Sequence, residues 1–179
     1  MKKYQIIYAD PPWSYGKPLK WKGMHGNAFG PEHYYKVMSL DEIKKMTIPA
    51  EENSWLLMWA TVAKLPEAID TLKAWGYEYR TNAVWDKWHL GLGWFFRIQH
   101  EFLLVGKMGK PQQPKIKVRS IFKEIRTTHS KKPKCIRDWI EEAFPDQTKL
   151  ELFAREKTPG WDVWGNEVES DIDLGGHNG

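Results

Sequence analysis

The chain has 179 residues, of which 41% are hydrophobic and 28% charged, with a net charge of +4. That length suits one domain with a real core, and no run approaches the ~18 apolar residues that a membrane helix needs. A single cysteine, Cys135, excludes an internal disulfide and fits a reducing cytoplasm, and MKKYQIIYAD lacks the long apolar segment of a signal peptide.

YQIIYA (4–9) reads as a buried strand, and a loop rich in Gly, Lys and aromatic residues follows through residue 35. SLDE (39–42) has the spacing of a capping box, with Ile43 and Met46 giving the short helix behind it an apolar side. SWLLMWA (54–60) is a second strand. Leu65, Ile69 and Leu72 recur at helical spacing between Lys64 and Trp75, and Gly76 is placed to end that helix. Strands follow over 77–87 and 101–107, separated by GLGWFF, which breaks the pattern. Residues 107–134 read as loop with one strand near KVRSIF. Pro133 starts a helix whose inner face is Ile136, Trp139, Ile140 and Phe144. KLELFA (149–154) is a strong strand, and GWDVWGNE (160–167) is turn-rich with a final edge strand.

Strands alternating with helices predict an α/β fold: a three-layer, Rossmann-like domain over 1–167 with a mostly parallel sheet. Residues 168–179 read as an acidic, disordered tail. Charge is segregated. Residues 107–134 hold ten Lys or Arg against one acid, Glu124, whereas EVESDIDLGGHNG holds four acids and no Lys or Arg. The basic segment, together with loop 14–35, is therefore the expected contact for a polyanion.

Ligands in such sheets bind beyond the carboxyl ends of the strands. DPPW (10–13) lies there, directly after the first strand. Pro11 and Pro12 fix two φ angles and offer no N–H, so nearby carbonyls are held rigidly and left to accept. Asp10 adds a carboxylate and Trp13 a flat face. Two acceptors and a plate suit a planar group bearing an NH₂, such as adenine. Accepting both N6 hydrogens, through Asp10 and the Pro11 carbonyl, would free a lone pair otherwise delocalised into the ring, while Trp13 stacks the base. The plainer reading is a Pro-Pro turn packed by Trp13. The acid before, the indole after and the strand leading in favour a site. His100 and His129 have no second ligand at zinc spacing, so no metal is assigned.

ADPPW, MSLDEIKKMTIP, LLMWAT, AWGYEYRTNAVWDK, QHEFLLVG, HSKKP, LELFAR and REKTPGWDVWGNE, spread over about residues 4–168, resemble in order the blocks of the DPPW-type adenine-N6 methyltransferases. This is the family of the catalytic subunit of the eukaryotic mRNA adenosine methyltransferase, and the chain looks most like its prokaryotic and phage members. The resemblance implies a circularly permuted methyltransferase fold, with the catalytic motif first and the S-adenosylmethionine region last. It places Asp10, Pro11, Pro12 and Trp13 in catalysis. It places Asp10, Ser130, Lys132, Glu151, Phe153, Arg155, Asn166 and Glu167 around the cofactor. Glu101 and Lys132, with Trp13 and Tyr15, are expected around the target base.

The expected activity is methyl transfer from S-adenosylmethionine to adenine N6 in DNA. The base would be flipped or already unpaired, because N6 is paired within a duplex. RNA is the alternative acceptor. A non-catalytic, nucleic-acid-binding subunit is a second alternative, against which the intact DPPW, Lys132 and Asn166 argue. A homodimer is compatible with the chain.

Overall fold

The computed structural model describes residues 2–15, 37–91, 93, 95–125 and 132–175. Among the described residues, seven strands form one sheet: β1 (Tyr4–Ala9), β2 (Ala50–Thr61), β3 (Glu78–Asp86), β4 (His100–Met108), β5 (Ile121–Lys123), β6 (Lys149–Leu152) and β7 (Asp162–Trp164). Their order is β5-β3-β4-β2-β1-β6-β7. β4 is antiparallel to both neighbours, and every other pairing is parallel. The carboxyl ends of the other six strands therefore share one edge with the amino end of β4.

Period-two alternation splits each central strand between two cores. On one face, Ile7 and Ala9 of β1 and Leu56, Met58 and Ala60 of β2 meet Ile43 of α1 (Leu40–Lys45) and Ala68 and Leu72 of α2 (Leu65–Ala74). On the other, Ile6, Tyr8, Leu57 and Trp59 meet Ile136, Ile140 and Ala143 of α3 (Lys134–Ala143). Three layers result, as the alternation of strands and helices predicts.

The local signals explain the boundaries. Ser39 Oγ accepts from the Glu42 amide, and the Glu42 carboxylate accepts from the Ser39 amide at 2.7 Å, completing the capping box. Gly76 follows α2 at φ +85°, a conformation costly for any residue with a Cβ. β2 begins four residues earlier than its apolar run, because Ala50 pairs with Tyr4 beyond the buried stretch. The tryptophans act mainly as latches. The indole N–H groups of Trp13, Trp55, Trp75, Trp85 and Trp139 each donate to a backbone carbonyl, which lets large apolar rings be buried without stranding a donor.

One expectation needs correction, and the geometry refines another. The acidic segment does not hang loose from 168. Leu174 is buried, Ile172 packs on the core, and Asp171 accepts from the Val163 amide at 3.0 Å. Two apolar side chains in an otherwise polar stretch are enough to dock it. The basic segment, in turn, begins at the wrong edge to meet the site. Because β4 runs backwards, it delivers residues 109–116 to the start of β2 and the end of α3. There Lys110 N–H donates to Asn53, Lys115 N–H to the Ala143 carbonyl, and the Lys115 ammonium pairs with Asp146 at 2.7 Å. Only at β5 does this segment reach the edge that carries Asp10. Among the described residues, no helix is long and apolar enough to cross a membrane.

Candidate active site

Asp10 directly follows β1, and its amide leans toward the Leu152 carbonyl of β6 at 3.5 Å. Lys132, just before α3, places its ammonium 2.9 Å from Asp10 Oδ1 and 3.3 Å from Glu101 Oε2. Glu101, second residue of β4, stands opposite Thr61 of β2 and Trp85 of β3, and its Oε1 takes the Lys87 ammonium at 3.0 Å. Carboxylate and ammonium thus alternate through four side chains, Asp10–Lys132–Glu101–Lys87. All four are largely shielded from solvent, and the Lys132 ammonium also lies 5.6 Å from the centre of the Trp59 ring.

Burial and these neighbours set the protonation. The two flanking carboxylates hold the Lys132 ammonium well above its ordinary range, outweighing burial. Glu101, held between two ammonium groups, is pulled below the usual carboxylate range despite its burial. Asp10 goes the other way. Burial pushes its carboxyl up, and Lys132 offsets only part of that rise.

The prolines hold the block differently from the expectation of free carbonyls. Pro11 O accepts from the Trp13 amide at 2.9 Å and Pro12 O from the Met38 amide at 3.0 Å. Each carbonyl keeps a second lone pair, and its direction is fixed by the bond already made. Trp13 also departs from its expected part. It is only 6% exposed, belongs to the core under α1 and α2, and donates its indole N–H to the Trp59 carbonyl at 3.3 Å. An indole gains more by filling that core than by standing open, so it braces the block and presents no stacking plate. Tyr15 is partly exposed beside Thr61, with the Lys64 ammonium 5.2 Å from its ring centre.

Beyond Asp10, between the carboxyl end of β6 and the start of α3, lies a cavity of about 630 Å³. Asp10, Lys132, Glu151, Phe153 and Arg155 all line it, as do Tyr8 and Arg137. Glu151 receives one Arg137 nitrogen on both oxygens, at 2.7 and 2.8 Å. Phe153 turns sharply out of β6 at φ 62°, with its ring edge-on to Trp164. Arg155 Nε donates to Glu167 at 2.7 Å. Asn166 is exposed after β7, and neither it nor Glu167 lines this cavity. Ser130 and most of loop 14–35 lie outside the described residues.

Sequence reasoning missed Tyr8, Lys87 and Arg137. Tyr8 is hidden in the apolar run of β1, where it accepts the Trp59 indole N–H at 2.7 Å. Lys87 meets Glu101 only through the β3–β4 register. Arg137 follows the apolar Ile136 on α3, and a single sequence gives no sign of which strand end its polar side overhangs. Among the described residues, no group of three or more His, Cys, Asp or Glu side chains is placed to hold a metal ion.

The donor set fits S-adenosylmethionine. The cavity volume falls within the range of small-molecule sites, and both signs of charge line it. Among the described residues, Arg137 Nε is buried without a hydrogen-bond partner, and both Glu151 oxygens retain accepting capacity for hydroxyl groups.

Comparison with known proteins agrees with this chemistry. The MT-A70 family model matches residues 4–167. The Type II methyltransferase M.MunI of Mycoplasma sp is 37% identical over 183 residues, covering 93% of this chain and 78% of that protein. The N(6)-adenosine-methyltransferase catalytic subunit METTL3 of Homo sapiens is 28% identical over 93% of this chain and 28% of its own length. The MT-A70-like N(6)-adenosine-methyltransferase of Drosophila melanogaster is 29% identical over 93% of this chain and 27% of its own length. The chain thus spans most of the bacterial relative but little more than a quarter of the animal ones. With a DPPW block at the mouth of a charged cavity and a family match across nearly its whole length, the chain belongs to the MT-A70 family, adenine-N6 methyltransferases that use S-adenosylmethionine as methyl donor.

Proposed function

We propose that the acceptor is adenine in DNA, and that Asp10 and the Pro11 carbonyl position its amine. The observation that carries this reading is Asp10 itself: a shielded carboxylate at a strand end, opening on the cavity, with one oxygen engaged by Lys132. Its second oxygen accepts one N6 hydrogen, and the remaining lone pair of the Pro11 carbonyl accepts the other. Taking both hydrogens draws the nitrogen lone pair out of the ring and aims it along one direction. Asp10, whose proton affinity burial raises, would then take the proton that N6 releases as the nitrogen bonds to the methyl carbon and that carbon's bond to sulfur breaks, its electron pair staying on sulfur.

S-adenosylmethionine, when bound, supplies a methyl group made electrophilic by its sulfonium. In this reading Asp10, Lys132, Glu151, Phe153 and Arg155 hold it, with Arg137 fixing Glu151. Asn166 and Glu167 act from the rim, Glu167 by orienting Arg155. In this reading the order of the blocks, with DPPW directly after the first strand and the cofactor wall at the end of the sixth, reflects the circular permutation that the resemblance implies. DNA is favoured over RNA because the Type II methyltransferase is more similar to the chain than the adenosine methyltransferases are, and is matched over most of its length.

The test is transfer of labelled methyl from S-adenosylmethionine to single-stranded DNA, duplex DNA and RNA of one sequence. Asp10→Asn is expected to lower kcat by at least ~100-fold, a larger loss than its effect on cofactor affinity, which calorimetry reads separately. Undiminished transfer in that variant overturns the assignment of Asp10, and preferential labelling of RNA overturns the choice of acceptor.

A further inference from the structure

The turn between β3 and β4 exposes aromatic rings at the edge where Asp10 lies. Phe95 is 89% exposed, Phe96 75% and Trp88 68%. Three large rings in solvent at one turn are unusual, since each forgoes roughly 1.5–3 kcal/mol of burial. Their arrangement is built. The Phe95 and Phe96 rings meet edge to face, with centroids 4.8 Å apart. Trp88 holds a left-handed backbone, φ 53°, with its N–H donated to Asp86 Oδ1 at 3.0 Å. Lys87 N–H to the Gln99 carbonyl, Gly91 N–H to the Ile98 carbonyl and Arg97 Nε to the Gly91 carbonyl tie the two sides of the turn together.

Within the turn itself, charge has one sign, and Asp86 at its root is the acid beside it. Residues 88–97 include His89 and Arg97 and no acid. β5 pairs with β3 so that Lys123 stands opposite Asp86, and its ammonium lies 5.4 Å from the Trp88 ring centre. The turn is also coupled to the chemistry. Lys87, at its root, holds Glu101, which shares Lys132 with Asp10.

We propose that Trp88, Phe95 and Phe96 form a stacking platform for unpaired bases next to the target adenine, with Lys123 and Arg97 meeting the phosphates. This rests on the nucleic-acid reading above and deepens it: the acceptor is engaged as a locally single strand. Exposed rings fit the faces of bases, which any sequence provides, and cations beside them fit a polyanion. A protein surface would need an acidic counterpart as well as an apolar one. The platform lies where only the later part of the basic segment arrives, through Lys123, since residues 109–116 lie at the opposite edge.

The experiment compares the chain with its Phe95→Ala/Phe96→Ala and Phe95→Tyr/Phe96→Tyr forms. Each is titrated by fluorescence anisotropy against a labelled single-stranded DNA of about 12 nucleotides with one adenine. Stacking of this kind predicts affinity about tenfold weaker or worse in the alanine form and near-complete recovery in the tyrosine form. S-adenosylmethionine binding, read by calorimetry, should be unchanged in both, and the loss in methyl transfer should fall on KM for the oligonucleotide. Equal affinity in all three forms overturns the platform. So does loss of self-association by sedimentation in the alanine form with DNA affinity intact, which makes the rings a contact between copies. Failure of the unaltered chain to bind any nucleic acid overturns the acceptor reading and the platform with it.

Discussion

Asp10 is acted on by opposing influences. Burial raises its proton affinity, the Lys132 ammonium lowers it, and Glu101 takes part of that ammonium's field for itself. The carboxylate must be ionised to accept an amine hydrogen, so activity should fall as pH falls through the Asp10 pKa, which lies above the ordinary 3.8. Lys132→Met removes the charge that holds this value down, and the acid limb of kcat/KM is expected to move to higher pH. A pH–rate profile of both forms checks this, and an unmoved limb would detach Lys132 from Asp10. Trp13 carries a different lesson at the same scale. An indole beside a reactive carboxylate looks like a substrate contact, yet its burial and its bond to the Trp59 carbonyl make it a brace.

The cofactor wall depends on how two short parallel strands end. β6 and β7 pair in register, Leu152 beside Trp164, and only nine residues join them. The chain must therefore turn hard at Phe153, and Gly165 lies against that turn. A Cβ on Gly165 would fall 2.2 Å from the Ala154 carbonyl oxygen and 2.6 Å from its nitrogen. Both are backbone atoms, so neither can swing aside. Gly165→Ala should displace residues 153–155, cost about 2 kcal/mol of stability and weaken S-adenosylmethionine binding by about tenfold or more. Denaturant unfolding and calorimetric titration read the two effects. Stability lost with cofactor affinity intact would separate this turn from the binding wall.

Across the whole molecule, the cavity joins parts far apart in the chain: β1, the approach to α3, and the exit from β6. A ligand seated there should stabilise the folded state as a unit. S-adenosylmethionine at about 100 times its Kd is expected to add ~2.7 kcal/mol, or roughly 5–10 °C in Tm for a domain of this size. Differential scanning calorimetry checks it, and an unchanged Tm at saturating ligand would place the cofactor elsewhere. Charge is also organised at this scale. The basic excess of residues 107–125 wraps from the amino edge of the sheet round to β5, so only its last part faces the side where chemistry takes place.

Much of the fold was legible because its signals are local. The Ser39–Glu42 box, the helical spacing of Leu65, Ile69 and Leu72, and the apolar runs of β1, β2 and β4 depend on near neighbours in the chain. The DPPW block was legible for the same reason, its geometry being fixed by two proline rings between an acid and an indole. Direction and register were not. Nothing near residues 100–108 says that β4 runs against its neighbours, yet that reversal puts Glu101 beside Lys132, brings Lys87 to it, and carries half of the basic segment away from the site. Whether Trp13 is open or buried, and which strand end Arg137 overhangs, depend on what packs from elsewhere. The sequence by itself determined the elements and the reactive block. Only the tertiary structure decided the partners, because an ion pair or a buried ring is completed by residues that many positions of chain keep apart until the sheet assembles.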